Sequence, residues 1–204
     1  MARAIDQRCK RAGRSGGYGG DHGYTLLEAL TVVAVLGVLL AASLPSFHDA
    51  GLRSTLKSAA DRLRSDMGEA RTTARERAQF VYLSFVRASD GASWCWGLSL
   101  APSCDCRLDD RSAAAFCFVD RDAASASPLP RFVRSSDYRS VLLDALPLGG
   151  SLRFSPVRPD LVAGNISFSA AGSGETLRVV VSSLGRLRLC SPAGAHAVPG
   201  LPPC

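Results

Sequence analysis

Residues 21–40 read DHGYTLLEALTVVAVLGVLL, and one of them sits badly with the rest. Between positions 24 and 44 the only charged residue is Glu28, five residues past Gly23. About 20 helical residues at roughly 1.5 Å each cover the thickness of a bilayer core, so residues 24–44 read as a transmembrane helix. A carboxylate well inside such a helix costs about 2.5–3.5 kcal/mol on insertion scales, and less near its end. Something has to partner Glu28. Arg3, Arg8, Lys10, Arg11 and Arg14 precede the run, which keeps the N-terminus cytoplasmic and sends the remainder outward. A cleaved signal peptide would have a shorter apolar region and a small-residue cleavage site, which LAASLPSF (residues 40–47) matches poorly. An ordinary signal anchor explains the length and orientation of the run but leaves Glu28 unaccounted for.

The chain has 204 residues, room for one anchor and one modest globular domain. Its net charge is +6, but residues 1–23 hold five basic residues against Asp6 and Asp21. Global charge is therefore weak evidence for a nucleic-acid partner, and only a local cluster could carry that reading. Apart from Cys9 in the basic leader, six cysteines remain: Cys95, Cys104, Cys106, Cys117, Cys190 and Cys204. An even number beyond an outward-directing anchor predicts three disulfides. The spacing C-x8-C-x1-C-x10-C lacks the paired C-x2-C of zinc sites, and His22, His48 and His196 lie far from it. The expected bridge is Cys190 with Cys204, closing a Pro/Gly-rich tail at about 3 kcal/mol in the chain-entropy model. The pairing of Cys95, Cys104, Cys106 and Cys117 stays open.

Past Pro45 the pattern turns amphipathic. Leu52, Leu56, Ala59, Leu63, Met67, Ala70 and Ala74 recur at helical spacing, and the opposite face carries Arg53, Lys57, Asp61, Arg64, Arg71 and Arg75, expected to be solvated. One helix over roughly residues 25–78 follows. From residue 79 the period falls to two, with strands expected over 80–86, 94–100, 114–119, 139–146, 151–156, 165–170, 176–183 and 186–190. Residues 120–131 read as a flexible loop. The predicted fold is α+β: a long N-terminal helix packed on a small, mostly antiparallel β head in two sheets. The expected divisions are a leader at 1–23, a transmembrane helix at 24–44, an amphipathic stalk at 45–78 and a β-rich head at 79–204.

No Ser/His/Asp set, nucleophile elbow or phosphate loop is present. No catalytic residue, metal ligand or cofactor is expected. Asp105, Asp109 and Asp110 lack calcium-loop spacing and read as an exposed acidic loop. Trp94 and Trp96 share a strand face, which suits core packing beside a disulfide better than a stacking platform. One local feature stands out. Gly185-Arg186-Leu187-Arg188 spaces two guanidinium groups two residues apart, so on a strand they project from one face. Such a pair suits phosphate contacts, although charged residues also guard strand edges against pairing.

Two resemblances bear on these residues. Gly23-Tyr24-Thr25-Leu26-Leu27-Glu28 resembles the prepilin signature of type IV pilins and type II secretion pseudopilins. That resemblance implies cleavage after Gly23 by a prepilin peptidase and methylation of the new amine on Tyr24, where the family usually has phenylalanine. It also implies that Glu28 pairs with the N-terminal amine of a neighbouring subunit during filament assembly, which would supply the missing partner. Gly37 and Pro45 fall where pilins commonly have a glycine and a helix-bending proline. The chain as a whole, with VRP (157–159), GNISFSAAG (164–172) and LRVVVSSLGRLRLCSP (177–192), resembles the GspH/FimT branch of minor pilins and pseudopilins. In FimT-like members a C-terminal G-R-x-R motif is implicated in binding double-stranded DNA during natural transformation, and Arg186 and Arg188 match it. In GspH-like members the subunit sits near the tip of a secretion pseudopilus, and the arginines would be structural or contact a neighbour. Implied partners are other pilins or pseudopilins, the prepilin peptidase and an inner-membrane assembly platform. The implied location is the bacterial inner membrane, single-pass, with the head periplasmic. A plain membrane-anchored periplasmic binding domain is the remaining alternative.

Overall fold

From Leu26 to Arg77 the chain is one helix, α1 (Leu26–Arg77). The computed structural model describes residues 25–119, 130–147, 149–158 and 161–204, with the side chains of residues 42–46 left outside. Thr25 caps α1, its hydroxyl accepting from the Glu28 backbone N–H at 3.2 Å. The helix stops in a Schellman motif: Gln79 N–H reaches the Ala74 carbonyl at 3.2 Å, Ala78 N–H reaches that of Arg75 at 3.3 Å, and Ala78 is left-handed at φ 51°. Two compact units divide at Leu44 and Pro45. Among the described residues no helix is long and apolar enough to cross a membrane. The span expected at 24–44 starts at Tyr24, outside those residues, and its last three side chains lie outside them as well.

Among the described residues eight strands form two antiparallel sheets. The first has the order β3-β2-β1-β5, built from β1 (Val81–Arg87), β2 (Trp94–Ser99), β3 (Phe132–Arg134) and β5 (Ser151–Phe154). The second has the order β4-β6-β7-β8, from β4 (Val141–Ala145), β6 (Gly164–Ala170), β7 (Thr176–Val181) and β8 (Leu187–Cys190). Both sheets and the apolar stripe of α1 share one core, in which Leu52, Leu56, Leu63 and Met67 are 0–9% exposed. The α+β fold expected from the sequence, a long helix on two small antiparallel sheets, is the fold observed.

Two expectations need correction. Residues 114–119 are apolar but form no strand. Phe116, Cys117 and Val119 are buried because Cys117 is bonded to Cys104, which ties an irregular segment down over β2. Conversely, β3 lies just past the expected loop and pairs with β2 through Trp96 opposite Val133. Residues 120–129 of that loop lie outside the described residues.

Trp94 and Trp96 stack at 5.1 Å with their rings 2° from parallel, and both are buried. Trp94 Nε1 donates to the Val141 carbonyl at 2.8 Å, joining the first sheet to β4. Trp96 Nε1 donates to Asp66 at 2.8 Å, and Arg62 approaches the other oxygen at 3.1 Å. Burial of Asp66 raises its pKa, outweighing the opposing pull of Trp96 and Arg62. The folded chain thus holds this proton more tightly than the unfolded one. The associated stability is fully present below the ordinary carboxylate range and is lost as pH rises from there through the elevated folded value. Urea midpoints measured from pH 4 to 7 (roughly that range upward) should fall with pH more steeply for wild type than for Asp66→Asn, which keeps an acceptor for Trp96 and has no charge to bury.

Candidate functional site

The turn between β7 and β8 is fixed from two sides. Within it, Gly185 N–H donates to the Ser182 carbonyl at 2.8 Å, and Arg186 N–H donates to Ser182 Oγ at 3.0 Å. Gly185 is buried at φ +72°, a conformation that disfavours any side chain. From outside the turn, Arg71 on α1 donates through Nη2 to the Gly185 carbonyl, and its guanidinium occupies the space a Cβ would need. Arg186 and Arg188 are both exposed. Arg186 belongs to the turn, so the strand alternation expected for the pair applies only to Arg188, which lies on β8 opposite Val180. Arg188 Nη2 donates to the Pro203 carbonyl at 3.1 Å. The Cys190–Cys204 disulfide holds that tail beside β8, and Cys204 N–H adds a bond to the Ser191 carbonyl at 3.1 Å.

The charges expected to be solvated on α1 are partly engaged. Arg53 reaches Glu175 at 2.7 Å and Lys57 reaches the Pro199 carbonyl at 3.0 Å. With Arg71 they tie the helix to three loops of the second sheet.

Gly23 and Tyr24 lie outside the described residues. Glu28 sits in the first turn of α1, where a carboxylate complements the helix dipole, and it is exposed. The side chains around it are exposed as well: Leu26, Leu27, Leu30 and Val33 show 60–78% of their surface. The other four cysteines pair as Cys95–Cys106 and Cys104–Cys117. Asp105 and Asp109 are ion-paired with Arg107 and Arg134, each at 2.8 Å, and the Arg107 bonds hold the Asp105 pKa low. Among the described residues no three metal-binding side chains come together. A cavity of about 330 Å³ between β1, β2 and β3, which the sequence did not suggest, is lined by Arg87, Arg107, Arg134 and Trp94. Its guanidinium groups are committed to backbone carbonyls and to those two aspartates.

The family model described as Type II transport protein GspH matches residues 59–185. The chain belongs to the GspH family. A second model, the Prokaryotic N-terminal methylation motif, matches residues 19–44 of this GspH-family chain, the stretch that includes Gly23, Tyr24 and Glu28. Family and motif together make it a subunit of the minor pilin and pseudopilin class of type IV filament systems. Among solved structures, two crystal forms of the type IV minor pilin FimU from Pseudomonas aeruginosa are similar at 18% identity. One form covers 73% of this chain and 96% of its own, with a TM-score of 0.43, and the other 72% and 98%, with 0.41. No curated protein matches the chain.

Proposed function

We propose that this GspH-family chain is a minor subunit of a type IV pilus whose head binds double-stranded DNA during uptake. Prepilin peptidase cuts after Gly23, the amine of Tyr24 is methylated, and residues 24–44 hold the subunit in the inner membrane with the head periplasmic. The apolar surface exposed all around the first turns of α1 supports this, since a helix apolar on every side requires lipid or other helices around it. At the assembly platform, Glu28 pairs with the amine of a neighbouring pilin. The head does no chemistry of its own. It presents a rigid surface.

The observation that carries the DNA role is the β7–β8 turn. Its backbone is fixed by Ser182 and Arg71, so the exposed guanidinium groups of Arg186 and Arg188 project from a frame that need not be ordered on binding. Guanidinium forks match phosphate oxygens, and each contact releases condensed counterions. The test is fluorescence anisotropy of a labelled duplex with the full chain in dodecyl maltoside, titrated at several salt concentrations. Affinity should fall steeply with salt, and Arg186→Ala with Arg188→Ala should weaken it at least about tenfold without moving the thermal midpoint. Unchanged affinity in the double variant would sink the DNA role.

The family description favours a second reading, in which the subunit belongs to a type II secretion pseudopilus and Arg186 and Arg188 contact a neighbouring subunit. Absence of duplex binding by wild type at low salt selects it.

A further inference from the structure

We propose that the duplex contact does not end at the β7–β8 turn but continues into a basic cleft formed by α1 and the segment after β5, where Arg75 and Arg158 make a second set of phosphate contacts. The inference rests on the DNA-binding reading above and extends its surface to residues outside the G-R-x-R stretch.

Three arginines from distant parts of the chain converge on this cleft. Arg71 and Arg75 come from α1 and Arg158 from the loop after β5, alongside Ser155, Val157 and Leu161, and among the described residues no carboxylate lines it. Arg71 and Arg75 are four residues apart, where like charges on a helix repel by a few tenths of a kcal/mol. Bringing a third cation to the same place adds to that cost, and a polyanion would offset it. Glu76 follows Arg75 directly, but consecutive helical residues do not face each other, and Asp160, two residues past Arg158, lies outside the described residues.

The cleft is also continuous with the turn. Arg71 lines the cleft and donates to the Gly185 carbonyl, and Arg186 is the next residue. Arg71 thereby positions the turn, while Arg75 and Arg158, both exposed, are available to a ligand lying across it. Shape decides the class of that ligand. The free volume within the cleft is only about 10 Å³, barely room for a single water. A small anion cannot be enclosed there, whereas a rod-like polyanion touching several raised guanidinium groups needs no cavity. Val157 and Leu184, 84% and 68% exposed, flank the arginines and are what a protein partner would use instead.

The experiment compares three proteins, each as the full chain in dodecyl maltoside: wild type, Arg75→Ala with Arg158→Ala, and Arg186→Ala with Arg188→Ala. A labelled duplex is titrated from about 50 to 200 mM salt, where phosphate contacts are most sensitive. The Arg75/Arg158 variant should lose about tenfold in affinity, and its log–log salt slope should shrink by about 1.8, for two lost contacts. Restoring charge with Arg75→Lys and Arg158→Lys should recover most of the binding, which a fold defect would not allow. If wild type binds no duplex, the DNA reading fails and this inference with it. If wild type binds through Arg186 and Arg188 while the Arg75/Arg158 variant is indistinguishable from it, only this inference is overturned, and the face becomes a protein-docking patch centred on Val157 and Leu184.

Discussion

Trp96→Ala is expected to remove about 4 kcal/mol from the head, the range of a fully buried aromatic truncated to alanine. The ring is 0% exposed, stacked on Trp94 and edge-on to Phe168 at 6.0 Å, so its neighbours cannot close the space without breaking that aromatic group. The indole N–H also holds Asp66, which is 6% exposed. Deleting the donor leaves a buried carboxylate with Arg62 alone, at a further 1–3 kcal/mol or so. The sum is a large share of the roughly 5–15 kcal/mol that stabilises a typical domain. Urea denaturation followed by far-UV circular dichroism should therefore show Trp96→Ala largely unfolded in buffer that leaves wild type native. Trp96→Phe keeps most of the packing and loses only the donor, so it should cost less. Adding Asp66→Leu to Trp96→Phe should recover part of that loss, because removing both members of a buried polar pair is milder than removing one.

Much of this fold could be read from spacing. The stripe from Leu52 to Ala74 predicts a helix with one buried face, and the alternating strands predict a sheet that covers it. What spacing conceals is the reason a residue is buried. Phe116, Cys117 and Val119 are in the interior because two interleaved disulfides pull them there, a constraint that no periodicity expresses. Asp66 lies on the apolar stripe itself, three residues after Leu63 and four before Ala70, and a carboxylate there was a legible sign of a buried partner. Gly97 gave a similar sign. A glycine inside a strand marks a close approach, and a Cβ there would stand 2.7 Å from that of Cys117. β3 was hidden by its brevity, three residues that follow Arg131 and end on Arg134. At the candidate site the sequence supplied Arg186 and Arg188, but not Arg71, Arg75 or Arg158. Those three look like solvated charges until the fold brings α1 and the segment after β5 to one cleft.

Glu28→Leu is expected to leave the chain in the membrane and exclude it from filaments. The two effects have opposite physical signs, which is what makes the variant diagnostic. For insertion, replacing a carboxylate by leucine removes a penalty of up to about 2.5–3.5 kcal/mol, less near the helix end. The Thr25 cap bonds the backbone of residue 28, so the substitution leaves it in place. The described core residues, Leu52 to Val198, all belong to the unit Pro45–Cys204, so the head should fold as before. In the proposed role of Glu28, assembly depends on the charge. A neighbour's N-terminal amine entering an apolar filament core without Glu28 is an unpaired buried ion, and stranding one partner of such a pair costs about 3–5 kcal/mol, enough to reduce incorporation by more than a hundredfold. Immunoblots of sheared filaments and of membranes should show the Glu28→Leu chain at wild-type abundance in membranes and missing from filaments. A variant depleted from both fractions would indicate failed insertion, contrary to the sign of the insertion term. One found at wild-type level in filaments would mean that Glu28 has no amine to meet.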